Sequence, residues 1–212
     1  MKVVFGARAR LIGSLLEKLR WHDCLLNSID KGTQGVVLPH GKYESADIIL
    51  ESMEKALSEG GSVECIYSSS ISRNFENNNF NLPQYYLLVK LFSLARKYSY
   101  NLTLHLIGSA EALFFSYKDA YRSTQNIEVS LFLALANDKK SINVNYYLIP
   151  TINPTTLVGR LLVVKRKVVA NRLAVSILKK KQGMKLCVFS DIRYRFIFFF
   201  KNKSANMNVI YW

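Results

Sequence analysis

The sequence predicts an α/β domain with a mixed central β-sheet flanked by helices and a C-terminal α/β elaboration. Half of the 212 residues are hydrophobic, which is enough for one sizeable core. Apolar runs of strand length alternate with amphipathic stretches of helix length. No internal repeat, low-complexity tract or linker divides the chain. We therefore expect a core over residues 1–108 and an extension over residues 109–212, packed on the same domain.

The first half of the chain predicts the order helix, loop, strand, strand, helix, strand. The first helix is expected over Arg8 to Trp21, where Leu11, Leu15 and Leu19 share one face. Residues 30–44 are rich in Gly, Pro and polar side chains, which is typical of a loop. Strands are expected at 25–29, 46–50, 62–68 and 101–107, and a second helix at 82–99. Residues 53–57 fit either a helical turn or a strand extension.

The second half predicts a helix at 110–122 and then a hairpin. The hairpin strands are 127–136 and 142–149, joined through the polar residues 137–140. A long basic helix is expected near 154–181, with Asn153 as its N-cap and Gly183 closing its end. Short strands are expected at 185–189, 194–200 and 209–212.

The charge of the chain is strongly positive. Lys and Arg total 29 against 15 Asp and Glu, giving a formal net charge of +14. Such an excess attracts polyanions and favours a nucleic-acid partner. The alternative is a composition that simply prefers lysine.

Cysteine usage and hydropathy predict a cytoplasmic location without a membrane partner. Cys24, Cys65 and Cys187 are odd in number and widely spaced, so neither a disulfide framework nor a zinc site is indicated. The N-terminal residues carry no signal-peptide pattern. The apolar run Phe196 to Phe200 is far shorter than the about 20 residues that span a membrane.

Two acidic residues fall within predicted core strands. Asp47 begins the strand at 46–50, and Glu64 lies inside the strand at 62–68. Carboxylates among apolar strand residues are costly to bury unless they are paired or bind a cation. If these strands are neighbours, both side chains can hold one Mg²⁺ or Mn²⁺, which would activate water against a phosphodiester. Alternatively, Asp47 caps a loop and Glu64 lies on a solvated face.

The order of these motifs resembles the PD-(D/E)XK nucleases, most closely the archaeal Holliday-junction resolvases. The matching residues span the first half of the chain: Lys18-Leu19-Arg20, Asp47-Ile48-Ile49, Glu64-Cys65-Ile66, Gln84 and Ala95-Arg96-Lys97. The resemblance implies a restriction-endonuclease-like core and a metal-dependent endonuclease acting on branched DNA. It also implies a homodimer, since a four-way junction presents two strands to cut.

The resemblance assigns Asp47 and Glu64 as metal ligands. The family has Lys two residues after the Glu, where this chain has Ile66. Lys42 or Lys90 could take over from that lysine, although each could equally be a phosphate contact or plain surface charge. Gln84 could assist at the metal or at a phosphate, and Glu17 is the nearest acid to the family's ligand on the first helix.

Basic side chains are candidates for contacts with DNA phosphates. Lys165, Arg172 and Lys179 recur every seven residues and would form one stripe on the long helix, although a solvated face fits equally. The other candidates lie nearer the predicted metal site: Arg8, Arg10, Lys18, Arg73 and Lys90.

Two alternatives to the nuclease remain open from the sequence. The first is a protein that binds or packages DNA and whose catalytic site has degraded, which would explain why Ile66 stands in place of the motif lysine. His40-Gly41-Lys42 and Asp47 also fit the HxKxxxxD pattern of phospholipase-D-type phosphodiesterases, in which a histidine attacks phosphorus.

Overall fold

A computed structural model gives the architecture of most of the chain. It describes residues 1–6, 10–27, 41–68, 82–109, 120–136, 142–149, 166–179, 185–188 and 210–211. The strands are β1 Lys2–Phe5, β2 Leu25–Asn27, β3 Lys42–Tyr43, β4 Val63–Ser68, β5 Leu102–Ser109, β6 Asn143–Ile149, β7 Lys185–Val188 and β8 Ile210–Tyr211. The helices are α1 Arg10–Leu19, α2 Ala46–Ser58, α3 Leu82–Lys97, α4 Ala120–Ala136 and α5 Arg166–Leu178.

All eight strands join one sheet in the order β3-β2-β1-β4-β5-β6-β7-β8. Every neighbouring pair is parallel. Parallel neighbours need crossover connections, and helices α1 to α5 supply them where the connecting residues are described. The predicted α/β class is confirmed, but the mixed sheet and the restriction-endonuclease-like core are wrong.

Helices cover both faces of the sheet and bury its side chains in two cores. On one face α2, α3 and α4 pack through residues such as Met53, Leu91 and Phe132. On the other face α1 and α5 pack through residues such as Leu15 and Leu173. Strands buried on both faces need apolar residues at nearly every position, so their sequences show little alternation.

Helix α2 replaces the strand predicted at 46–50. Ser45 is its N-cap, and its hydroxyl accepts a hydrogen bond from the backbone N–H of Ile48 at 3.3 Å. The apolar side chains Ile49, Met53 and Leu57 then follow at helical spacing and are buried. The prediction was wrong because five apolar-rich residues fit a strand until the helical period beyond them is counted.

The predicted hairpin is also wrong. Residues 127–136 belong to α4, and β6 pairs in parallel with β5 and β7. Helix α5 covers the second half of the predicted helix at 154–181, and residues 154–165 lie outside the described residues. The strands at 62–68, 101–107 and 142–149 and the helix at 82–99 are confirmed within two residues at each end. The strand predicted at 194–200 lies outside the described residues.

None of the described helices combines the length and the apolar character needed to cross a membrane.

Candidate functional site

The candidate site lies at the carboxyl edge of the sheet, where the strand order reverses. Strands β2 and β3 extend from β1 on one side, and β4 to β8 extend on the other. The helix after β1 packs on one face of the sheet and the helix after β4 packs on the opposite face. The two connections therefore diverge and leave a crevice between the carboxyl ends of β1 and β4, where open parallel sheets bind ligands.

Gly6 directly follows β1 at this crevice. Its φ of +76° lies in the left-handed region, which disfavours residues that have a side chain. A Cβ on Gly6 would lie 2.2 Å from the backbone carbonyl oxygen of Ser68, the last residue of β4. Only glycine therefore allows the backbone to turn out of β1 this close to β4.

Three polar side chains end the neighbouring strands at the same edge. Asn27 ends β2 and is buried, and its side-chain N–H donates to the backbone oxygen of Glu44 at 2.9 Å. Ser68 ends β4 and is buried, while Ser109 ends β5 and is half-buried. The carboxyl edge thus offers hydrogen-bonding groups on both sides of β1, from β2 on one side and from β4 and β5 on the other.

The connection from β1 to α1 is rich in arginine. Its sequence runs Gly6-Ala7-Arg8-Ala9-Arg10, and α1 begins at Arg10. The first backbone N–H groups of a helix point out of its N-terminus and carry partial positive charge. This edge therefore has the charge that suits an anion such as a phosphate.

The structure separates the two predicted metal ligands. Asp47 is exposed in the first turn of α2, which starts just after the carboxyl end of β3. Glu64 is the second residue of β4 and lies near the amino end of that strand. Because all strands run in one direction, the two carboxylates lie toward opposite edges of the sheet. Asp47 is placed as acidic residues commonly are, near the positive end of a helix.

The predicted magnesium or manganese site is wrong. Among the residues that the structure describes, no group of three or more His, Cys, Asp and Glu side chains could hold a metal ion. Glu64 instead lies 3.2 Å from Nε2 of His105.

Of the other predicted catalytic side chains, the structure describes Lys42 and Glu17. Lys42 is exposed and forms a 2.7 Å ion pair with Glu44. Glu17 is exposed on α1. Gln84 belongs to the first turn of α3, and its side chain lies outside the described residues, as does the whole of His40.

The predicted DNA contacts are exposed where their side chains are described. Lys18, Arg172 and Lys179 are exposed. Lys90 is also exposed, with its ammonium 5.3 Å from the ring centroid of Tyr86. Arg10 begins α1, but its side chain lies outside the described residues, as do all of Arg8, Arg73 and Lys165.

Comparison with known proteins identifies the fold. No family model matches the sequence, and no curated protein matches it. Among solved structures, the chain is similar to a carbonyl reductase from Pseudomonas aeruginosa PAO1 in complex with NADP. That match has a TM-score of 0.59 and 15% identity, and it covers 92% of this chain and 97% of that chain.

Two further structures show the same likeness. A glucuronic acid dehydrogenase from Chromohalobacter salexigens matches with a TM-score of 0.59 and 13% identity, covering 90% of this chain and 76% of that one. A hypothetical dTDP-4-dehydrorhamnose reductase from Sulfolobus tokodaii matches with a TM-score of 0.55 and 9% identity, covering 99% and 85%. At these identities the likeness establishes the fold, which is the doubly wound, Rossmann-like α/β fold.

These findings contradict the predicted nuclease function. The predicted Holliday-junction resolvase, its metal-dependent endonuclease activity and its branched-DNA substrate are wrong, because the sheet is not that of the resembled family and the matched structures are reductases and dehydrogenases. The homodimer inferred from the same resemblance loses its basis.

The sequence did contain a signal for the correct site. Val3, Val4 and Phe5 form a short apolar run, Gly6 follows at once, and an amphipathic helix begins four residues later. Strand, glycine and helix in this order are typical of the opening of a dinucleotide-binding unit. The signal is weak here because Arg8 and Leu11 stand where the G-x-G-x-x-G pattern has its second and third glycines.

Proposed function

We propose that this chain binds a nicotinamide dinucleotide at the carboxyl edge of its sheet and acts as an oxidoreductase on a small carbonyl or alcohol compound. The observation that carries the proposal is the close approach of Gly6 to Ser68 at the crevice between β1 and β4. A glycine at this place allows the tight turn that takes the chain from the first strand toward the helix, and the pyrophosphate of a dinucleotide lies against the N-terminus of that helix.

The residues fit such a cofactor, with one departure. Gly6 provides the tight turn out of β1 that such a site needs, since its backbone passes against the carbonyl oxygen of Ser68. Arg8 and Leu11 instead of glycines reduce the bare backbone available to the pyrophosphate. The two arginines of the connection supply charge in its place, since guanidinium groups bind phosphates in a bidentate manner.

The end of β2 favours NADP(H) over NAD(H). In dinucleotide-binding folds an acidic residue about 20 positions after the first glycine holds the ribose 2′-hydroxyl of NAD. Here the end of β2 is Asn27, whose side chain is neutral and already donates to Glu44. Without a carboxylate at that position, and with Arg8 and Arg10 in the connection from β1, a 2′-phosphate meets attraction rather than repulsion.

Ser109 is the candidate for contact with the substrate. The bound nicotinamide supplies or accepts a hydride, and a carbonyl oxygen gains negative charge as its carbon is reduced. A hydroxyl placed at that oxygen stabilises the charge by donating a hydrogen bond. Ser109 ends β5, beside the crevice, and can take this role.

Cofactor binding is tested with two matched glycine variants. Gly6→Ala introduces both a positive-φ strain and a Cβ against Ser68, whereas Gly60→Ala introduces a similar φ strain at +80° with no atom within 4 Å. We expect wild type and Gly60→Ala to bind NADPH in calorimetric titration, and NADH about tenfold or more weakly. Gly6→Ala should lose NADPH binding. Equal loss in both variants, or no binding by wild type, would contradict the proposal.

Turnover is tested separately, by following NADPH absorbance with a panel of aldehydes, ketones and sugar lactones. Ser109→Ala should lower the rate by about tenfold or more while leaving NADPH affinity unchanged. An unchanged rate in Ser109→Ala would remove this residue from the reaction. Binding without turnover on any substrate would leave a nucleotide-binding protein and refute the oxidoreductase.

A further inference from the structure

A second cavity lies at the amino edge of the sheet, away from the crevice at Gly6. Its volume is about 390 Å³, within the range of about 300–1,000 Å³ typical of small-molecule sites. The sheet forms its floor with side chains of β4, β5 and β6, and Ile177 of α5 borders it. The exposed ring of Tyr100 stands at its rim.

Strand register gathers polar side chains on this floor. Glu64 of β4 pairs in register with Thr103 of β5, which pairs with Asn143 of β6. Two residues further along, His105 pairs with Asn145. Side chains two apart on a strand share a face, so these five polar groups form one patch under α5. The interiors of parallel sheets are normally apolar, so the fold itself does not require such a patch.

A chain of polar contacts holds part of the patch in place. Nε2 of His105 lies 3.2 Å from a carboxylate oxygen of Glu64, and Nδ1 lies 3.4 Å from the hydroxyl of Tyr147. His105 and Tyr147 are almost completely buried, while the Glu64 side chain is 23% exposed toward the cavity. The imidazole thereby holds one oxygen of the carboxylate, and the Glu64 side chain also borders the cavity.

Asn145 offers the cavity a polar side chain. It is only 5% exposed and lines the cavity. Among the described residues, no side chain or backbone group forms a hydrogen bond with its amide. Its amide atoms keep contact with the cavity, so molecules there can reach them. A molecule in the cavity can therefore supply the hydrogen bonds that the described residues do not.

We infer that this cavity binds a neutral polyhydroxylated molecule of monosaccharide size. The amides of Asn143 and Asn145 and the hydroxyl of Thr103 both donate and accept hydrogen bonds, and Glu64 accepts them, which suits adjacent hydroxyl groups that do both. The ring of Tyr100 offers an apolar surface to the C–H face of such a ligand. Glu64 and Lys2 both line the cavity and offset each other in charge, so a neutral ligand is favoured over an ion.

The site is independent of the proposed cofactor site. Gly6 lies at the carboxyl end of β1, whereas Glu64 and Asn143 lie at the amino ends of β4 and β6. Both sites can therefore be filled at once, and neither proposal depends on the other.

The test is a titration of the full chain with myo-inositol and with D-glucose, followed by ligand-observed NMR and calorimetry. Cyclohexanol, glycine and inorganic phosphate serve as probes of other chemistry. We expect saturable binding of one or both polyols at a single site, undiminished by saturating NADPH. Absence of saturable polyol binding, or tighter binding of cyclohexanol, glycine or phosphate, would overturn the inference.

Variants separate a ligand site from a structural network. Asn145→Leu should weaken polyol binding by about tenfold or more, yet leave the melting temperature nearly unchanged, because no described residue forms a hydrogen bond with the amide that it removes. Glu64→Gln and Tyr100→Ala should also weaken binding, whereas Tyr86→Ala, which alters another exposed tyrosine, on α3, should not. Binding that is unaffected by both Asn145→Leu and Glu64→Gln would refute the site.

Discussion

At the scale of single residues, the core contains a phenol and a thiol whose deprotonated, charged forms are disfavoured by burial. Burial raises the pKa of the Tyr67 hydroxyl, and the nearby charge of Glu128 raises it further. Burial also raises the pKa of the Cys65 thiol. Both side chains sit on β4 and point into the core beneath α2, α3 and α4. Their neutral forms are therefore part of the folded state.

These shifts predict alkaline sensitivity. In the unfolded chain the thiol and the phenol lose their protons near pH values of about 8.5 and about 10, whereas in the folded chain they keep them to higher pH. The stability that they contribute is thus fully present below those values and is lost as pH rises. Above pH of about 10, each group lowers the free energy of unfolding by about 1.4 kcal/mol per pH unit.

Tyr67→Phe tests this directly. The variant should show a shallower fall of the unfolding free energy above pH of about 10, measured by urea denaturation across a pH series. Tyr100→Phe, which alters an exposed tyrosine, should keep the wild-type slope. Identical slopes for Tyr67→Phe and wild type would show that the phenol does not control the alkaline limb.

At the scale of elements, helix α2 decides where the carboxylate of Asp47 lies. The sequence Ser45-Ala46-Asp47 places a capping hydroxyl and an acidic side chain at a helix N-terminus, where both are stabilising. The sequence alone predicts the start of a strand here, because Ile48-Ile49-Leu50 is apolar and short. Only the burial of Met53 and Leu57 against the sheet distinguishes the two structures.

The cap predicts a measurable stability difference within α2. Ser45→Ala removes the hydroxyl that accepts from the Ile48 N–H and should cost about 1 kcal/mol of unfolding free energy. Ser52→Ala serves as a control, because its hydroxyl donates to the Ile48 carbonyl oxygen inside the helix. That substitution should be neutral or slightly stabilising, since alanine favours helix interiors. A larger cost for Ser52→Ala than for Ser45→Ala would contradict the capping assignment.

At the scale of the whole molecule, one sheet couples two cores. The core under α2, α3 and α4 and the core under α1 and α5 share the same strands, because alternate residues of β4, β5 and β6 face opposite sides. Loss of packing on one face therefore weakens the strands that support the other. The carboxyl-edge crevice and the amino-edge cavity both depend on this shared sheet.

Cooperativity between the cores can be measured in a Trp212→Phe background, which leaves Trp21 as the single tryptophan. Leu91 of α3 is fully buried in one core, whereas Trp21 is buried in the core that α1 and α5 cover. Leu91→Ala should cost about 2–5 kcal/mol and shift the unfolding midpoints of fluorescence and far-UV circular dichroism by the same amount. Leu15→Ala should do the same from the other face. A fluorescence midpoint that stays in place in Leu91→Ala would show that the cores unfold separately.

The sequence by itself determined the α/β class, the helix at 82–99 and the strands at 62–68, 101–107 and 142–149. These elements carry local signals: turn residues, apolar runs and helical periodicity. It did not determine the parallel order of the strands, because pairing is decided by which distant segments bury each other's apolar surface. The predicted nuclease function requires Asp47 and Glu64 to lie on neighbouring strands. The tertiary structure puts them toward opposite edges of the sheet. Gly6 shows the same limit, since the sequence identifies a glycine but only the strand order brings the Ser68 carbonyl against it.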